Sequence, residues 1–267
     1  MTGVAELNDN IYIVLRYYNK ITIFGKPPSY HRLEEIVVKG MVDARDLVAD
    51  FAKNRLFVAD LNGHCVWRVD VDDEVRSRRE YDDKENVNCD ENVNYDKFCD
   101  IESKLWSISV SETGQVLVTD WDSGLLTVHS RDGERLEIIP LNDKGLKEPR
   151  RIIQTSCDTY VISYDDCIHL VDREWKVIKE YGGNPGQLVS PYHLADAAAN
   201  DRKFVVDRKR IFILNARLGI ERTLINRPPF YEHAQLTWWR RRVSYSGDGK
   251  RLIVSWGGSC VFVYAIQ

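Results

Sequence analysis

The 267-residue sequence contains no run approaching the roughly 20 consecutive apolar residues that a membrane span needs. Its first residues, Met1 to Glu6, lack the basic and apolar blocks of an export signal. A cytoplasmic setting with no membrane partner is therefore expected. Cysteine is sparse and scattered: six residues, Cys65, Cys89, Cys99, Cys157, Cys167 and Cys260, with no Cys-x-x-Cys pair and no paired zinc spacing. Reduced thiols are expected, and Cys89 and Cys99 are the one pair placed to bridge, since both lie in one polar stretch. A Gly-x-Ser-x-Gly elbow, a phosphate loop and a His-Glu-x-x-His helix are all missing. No metal, small-molecule cofactor or catalytic residue is expected on that basis. An excess of one charge is also lacking. The net of −4 argues against a surface that binds polyanions everywhere, but leaves room for a local basic patch.

What the chain does have is aromatics and a long period. Seven tryptophans and thirteen tyrosines suit a β-rich fold, because flat rings fit a pleated surface. The length is near the upper edge of one domain, and a chain of this size buries roughly 75% of its unfolded surface without a metal or disulfide staple. Helical periodicity is almost absent. Instead, β-branched runs recur at Ile11–Val14, Leu56–Asp60, Val116–Asp120, Thr159–Ser163, Lys203–Asp207 and Arg251–Ser255. Their spacing is about 45 residues, with one gap of about 60, the range of propeller blades. Each run is followed by a polar turn and a second strand-like segment, as in Cys65–Val69, Leu125–His129, Ile168–Val171, Ile211–Leu214 and Cys260–Tyr264. Asn62-Gly63, Ser123-Gly124 and Gly257-Gly258 are hairpin signals in those turns. Outer segments such as Glu35–Val38 and Leu136–Ile139 complete four strands per unit. The reading is all-β: one domain over residues 1–267, a six-bladed propeller of four-stranded antiparallel blades.

Two irregularities interrupt the pattern. Residues from about 82 to 103 are rich in Asp, Asn and Glu and nearly duplicate Glu85–Asp90 as Glu91–Asp96, which reads as an acidic outer-loop insertion. Doubling a loop costs only about 0.6 kcal/mol in closure entropy. No Asp-x-Asp-x-Asp-Gly calcium loop occurs in it. The second irregularity is at the ends. The chain opens in an innermost strand (Thr2 to Leu7) and stops after a third strand (Cys260 to Ile266), so the last blade lacks its outer strand. An unpaired edge is a liability. The expectation is a C-terminal portion of a longer product, or a truncated gene.

The second unit, Leu56-Phe57-Val58-Ala59-Asp60-Leu61-Asn62-Gly63-His64-Cys65-Val66-Trp67-Arg68-Val69, resembles the NHL repeat of TolB-like six-bladed propellers. Leu105–Asp120 and Glu148–Ile152 look like blade starts of the same repeat. Units one, four and six depart from it at Tyr17-Tyr18-Asn19, Tyr164-Asp165-Asp166 and Trp256-Gly257-Gly258. His64 falls in the repeat's own turn and reads as structural. The resemblance implies a non-catalytic platform for a protein partner, like the C-terminal substrate-binding module of tripartite-motif ubiquitin ligases. Single-stranded RNA binding, known among such propellers, is the alternative it implies. The third is a metal-dependent hydrolase or lyase propeller. Against it, the histidines (His31, His64, His129, His169, His193, His233) fall at different blade positions.

In a propeller, the loops that enter the innermost strands crowd one end of the central channel. Aligning blade starts on Val4, Leu47, Ile108, Ile152, Leu194 and Val243 gives a column two positions earlier: Thr2, Arg45, Trp106, Arg150, Tyr192 and Arg241. The next column adds Asp46, Ser107, Arg151, His193 and Arg242. Trp238-Trp239-Arg240-Arg241-Arg242 is the densest such cluster. Guanidinium forks pair with carboxylate or phosphate, and flat rings stack. The candidate ligand-binding residues are therefore Arg45, Trp106, Arg150, Arg151, Tyr192, His193, Trp239 and Arg241.

Overall fold

The computed structural model describes every residue except 1–2, 26–27, 72–92, 103, 156, 184–186, 189–190, 192, 198–201, 208–209, 226–241, 247–249, 257–259 and 267. Six antiparallel sheets stand in a ring, each ordered from the channel outward in chain order. Blade 1 holds β1 Gly3–Leu7, β2 Asn10–Val14, β3 Lys20–Phe24 and β4 Arg32–Val37. Blade 2 holds β5 Ala44–Asp50, β6 Arg55–Asp60, β7 Cys65–Asp70 and β8 Tyr95–Asp100. Blade 3 holds β9 Leu105–Val110, β10 Val116–Asp120, β11 Leu125–His129 and β12 Arg135–Pro140. Blade 4 holds β13 Arg151–Gln154, β14 Tyr160–Ser163, β15 Cys167–Val171 and β16 Val177–Gly182. Blade 5 holds β17 His193–Ala197, β18 Arg202–Val206, β19 Ile211–Leu214 and β20 Ile220–Ile225. Blade 6 has three described strands, β21 Arg242–Tyr245, β22 Arg251–Trp256 and β23 Cys260–Ala265. The innermost strands touch in sequence, β1 to β5 to β9 to β13 to β17 to β21, and β21 returns to β1.

The uninterrupted apolar runs follow from burial of both faces of each inner sheet. Side chains alternate across a strand, so Tyr12 and Val14 pack toward blade 2 while Ile11 and Ile13 pack toward blade 6. In blade 2, Leu56 and Val58 face blade 1, whereas Phe57 and Ala59 face blade 3. A strand buried on one side would read as alternating polar and apolar; these read as continuous Ile, Val, Leu and Phe. Each such side chain, fully buried, contributes about 1.5–3 kcal/mol. The core is thus a set of wedges between blades.

The acidic stretch expected as one insertion over 82–103 is divided in the structure. Tyr95–Asp100 is β8, the outer strand of blade 2, paired with β7 from Val69↔Tyr95 to Cys65↔Asp100. Its apolar anchors are hidden among acidic residues and fall three apart, because the register shifts between Val66 and Trp67. Tyr95 meets Trp67 edge-on with ring centroids 6.3 Å apart, and Phe98 meets Phe57 at 4.8 Å. Residues 82–92, including Cys89, lie outside the described residues, and Cys99 is a free thiol.

The ring closes between blades 6 and 1 through side chains. Val4, Ile11, Ile13 and Ile253 form the apolar part, with Val261 and Val263 packed against them. Arg251 Nη2 of β22 donates to Glu6 Oε1 at 3.0 Å and to Asp9 Oδ1 at 2.5 Å. Glu6 is buried, so its charge depends on that partner more than an exposed carboxylate would. Arg251→Met is expected to lower unfolding stability by about 2 kcal/mol, read from the urea midpoint. A change below about 0.5 kcal/mol would place closure in the apolar contacts alone.

Candidate functional site

Successive strands run in opposite directions. The loops entering the innermost strands and the turns joining second to third strands therefore emerge on one face. In blade 2 that face is organised by Asp60, which ends β6 and is fully buried. Its carboxylate accepts from the backbone N–H groups of Val42 (2.9 Å), Asp43 (2.8 Å) and Gly63 (3.0 Å) and from Trp67 Nε1 (3.1 Å). One side chain thus fixes both the loop into β5 and the β6–β7 turn. A Cβ at Gly63 would come within 2.2 Å of Asp60 Oδ2, so the turn requires glycine there. Asp120 and Asp207 cap the corresponding turns of blades 3 and 5, accepting from Asp122 N at 3.0 Å and Arg210 N at 2.6 Å.

The second of the two columns forms a buried floor across the channel. Asp46 accepts from Arg151 Nη1 (2.5 Å), Ser107 Oγ (3.2 Å) and Ile108 N (3.2 Å) on one oxygen. Its other oxygen accepts from Leu47 N (3.1 Å) and His193 Nε2 (3.4 Å), and Arg242 Nε lies 3.5 Å away. Val243 N–H donates to His193 Nδ1 at 3.2 Å, which fixes the tautomer with the proton on Nε2. Blades 2 through 6 thus each supply one polar side chain. Blade 1 supplies Gly3, where a Cβ would lie 2.6 Å from Leu47 Cβ and Leu47 N. A side chain at that sixth position would push β1 off β5.

Burial alone would raise the Asp46 pKa, but Arg151, the His193 hydrogen bond and Arg242 outweigh it and hold the carboxyl well below its usual range. Burial, with Arg151 next, pushes His193 down to about 3. Burial lowers Arg242 to about 10, against the pull of Asp46, and the neighbouring Arg151, Arg45 and Arg150 lower it further. Two guanidinium groups against one carboxylate leave this floor net positive, with the imidazole neutral.

The first column lies above that floor. Arg45 Cζ stands 4.7 Å from the centre of the Trp106 ring, and Arg150 Cζ 5.6 Å from it. Trp106 leans on Trp121 at 5.7 Å, and both rings are half-buried. Arg150 also pairs with Asp165 of the β14–β15 turn, and Arg242 Nη2 donates to Arg45 O at 3.3 Å. The same face carries Tyr17 and Tyr18, 65% and 53% exposed, and Val42 at 49%. Arg16 sits 4.6 Å from the Tyr17 ring and is bound to Asp43 by two hydrogen bonds of 2.8 and 2.7 Å.

The structure therefore separates the expected ligand residues into two levels. Arg45, Trp106 and Arg150 meet at the mouth. Arg151 and His193 lie beneath it, 5% and 3% exposed, as supports rather than contact groups. Tyr192, Trp239 and Arg241 lie outside the described residues. Asp46, which holds the floor, was legible only as one member of a mixed column, because its partners come from blades distant in sequence. Trp121 and the Tyr17–Tyr18 pair were missed as site residues. Their signal is position: each lies in the turn that follows a second strand and faces the mouth.

No protein-family model matches the chain, and no curated protein matches it in sequence. Solved structures match in shape. The WD40 β-propeller domain of Doa1 superposes with a TM-score of 0.62 at 12% identity, covering 100% of this chain and 92% of that one. A streptogramin B lyase gives 0.61 at 12% identity over 100% and 83% of the two chains. Kuenenia stuttgartiensis hydrazine synthase gives 0.61 at 13% over 99% and 95%. At such identities the likeness establishes the fold alone: this chain is a six-bladed β-propeller.

Proposed function

We propose that this propeller is a non-catalytic binding platform that receives a protein partner on its mouth face, with an acidic side chain of the partner seated among Arg45, Trp106 and Arg150. The observation that carries the reading is the composition of that face. Tyr17, Tyr18, Val42, Trp106 and Trp121 stand beside Arg16, Arg45 and Arg150 on a scaffold fixed by Asp46 and Asp60. Tyrosine, tryptophan and arginine are the residues that dominate interface energetics. A preformed, internally hydrogen-bonded face loses little entropy on binding. The NHL-like motif of the second blade supports the same reading, since its Asp60 is spent on turn geometry rather than on chemistry.

The test uses an immobilised library of acidic peptides, with a randomised single-stranded RNA pool in parallel. The parent chain is expected to retain acidic peptides, and Arg45→Glu with Arg150→Glu to weaken them at least tenfold. Two lost charge-assisted bonds amount to about 1.4 kcal/mol or more. The stacked arginines and Trp106 favour RNA as the second reading. Retention of RNA with steep salt dependence and no peptide binding would replace the first reading by the second. Retention of neither would overturn both.

A further inference from the structure

We propose that Cys167, His169 and Glu180 form a binding site for a single zinc-class divalent cation on the outer part of blade 4, coordinated through Sγ, Nε2 and Oε2. The site shares no residue with Arg45, Trp106 and Arg150 and does not rest on any partner reading.

The placement follows from strand geometry. Cys167 and His169 are two apart on β15, so they share a face. Glu180 on β16 is the direct cross-strand partner of His169. Paired cysteines at zinc-type spacing are absent from the sequence; here the signal is a Cys-x-His on a strand, completed by a residue from the next strand. Sγ lies 3.5 Å from His169 Nε2, and Nε2 lies 3.1 Å from Glu180 Oε2. All three ligand atoms fall within 4.8 Å of one another. A tetrahedral zinc with Zn–S of about 2.3 Å and Zn–N and Zn–O of about 2.0 Å separates S from N by about 3.5 Å and N from O by about 3.3 Å. Two of the three separations are thus already those of a metal centre. Closing the third needs only rotation of Glu180, which is exposed.

The chemistry agrees with the geometry. The sulfur and the carboxylate both lie within reach of the same imidazole nitrogen, a spacing in which one cation can engage all three atoms. A thiolate, an imidazole and a carboxylate together suit zinc over magnesium or calcium. The local charge is negative as well, since the Asp166 carboxylate borders the Cys167 sulfur in addition to Glu180. The imidazole is held in place: the Tyr164 ring packs against it with centroids 4.7 Å apart. Tyr164 N–H in turn donates to Cys167 O at 2.9 Å, which fixes the turn that starts β15. Three protein ligands leave a fourth position for water or an incoming group.

The test is titration of the full chain with cobalt(II), then displacement by zinc(II). The expected result is one equivalent bound, with the visible absorption of a tetrahedral site and a sulfur-to-cobalt charge-transfer band, both erased by zinc. Cys167→Ser should abolish the charge-transfer band. His169→Ala and Glu180→Gln should each weaken binding by about tenfold or more; Glu180 is exposed, so its variant folds. Cys157→Ser, an exposed thiol elsewhere, should change nothing. Absence of a tetrahedral spectrum in the parent, or its persistence unchanged in Cys167→Ser and Glu180→Gln, would overturn the proposal.

Discussion

Asp46→Ala is expected to destabilise the protein by about 3–5 kcal/mol, the largest single-residue effect in the channel. The carboxylate is 1% exposed and is the shared acceptor for Arg151, Ser107, His193 and two backbone N–H groups. Its removal takes away the carboxylate that stands between the buried Arg151 and Arg242 guanidinium groups, which then repel each other. It also leaves the Ile108 N–H and the His193 Nε2–H without an acceptor. Each orphaned donor costs about 1–3 kcal/mol, and the buried Arg151 charge left without its carboxylate costs more. Asp46→Asn separates the two contributions. It keeps an acceptor oxygen but removes the charge, so it should lie between the parent and the alanine variant. Urea denaturation reads both, with the slope checked for constancy so that a change in midpoint is a change in stability. A loss under about 1 kcal/mol for Asp46→Ala would mean that water or a mobile carboxylate replaces Asp46, and that the channel floor is not the dry network described. Adding Arg151→Met to Asp46→Ala should recover part of the loss, since it removes the guanidinium whose ion pair with Asp46 was broken and which repels Arg242. Two mutations acting on separate features would simply add.

The sequence carried the ring of blades clearly and the chemistry of the site only in outline, for a physical reason in each case. Blade strands are local: Leu56–Asp60 and Cys65–Val69 announce themselves through apolar runs joined by Asn62-Gly63, and no distant residue is needed to read them. β8 was hidden because Tyr95 and Phe98 are set in an acidic stretch and a register shift breaks their alternation. The floor of the channel unites residues far apart in sequence, such as His193 and Asp46, which are 147 positions apart. A column alignment can place such residues at one level, but it cannot say which points to solvent and which is sealed beneath. That is why Arg150 and Arg151, adjacent in sequence, have opposite roles. Arg150 reaches the Trp106 ring and Asp165 at the mouth, and Arg151 turns inward to Asp46. The strand period dictates this inversion, since neighbours on an extended chain face opposite ways. The Cys167–His169 pair obeys the same period with a spacing of two, which keeps both on one side.

The second large effect is a loss of stability on acidification, carried by His193. In the fold its Nδ1 accepts from Val243 N–H and its Nε2 faces Asp46, so a second ring proton would break the Val243 bond and charge a group that Arg151 and Arg242 already surround. Its folded value of about 3 compares with about 6.5 for an exposed histidine. Between those values the unfolded chain binds a proton that the folded chain does not. Stability therefore rises with pH across this window, is complete above about pH 6.5, and falls on acidification at up to about 1.4 kcal/mol per unit. Asp46 continues the trend. Its folded value is depressed, so its contribution is present above about pH 3.9 and is lost below it. The loss of stability on acidification is therefore expected to begin well before the carboxylates of the surface titrate. Urea curves at pH 7, 6, 5 and 4.5, taken for the parent and for His193→Gln, isolate the residue, because the other titrating groups are common to both. The variant should be less stable at pH 7, having lost a fitted ring, yet its stability should fall less steeply below pH 6.5. Equal slopes would mean that His193 takes up its proton in the folded protein as readily as in the unfolded one. The sealed, net-positive floor beneath the mouth would then have to be abandoned.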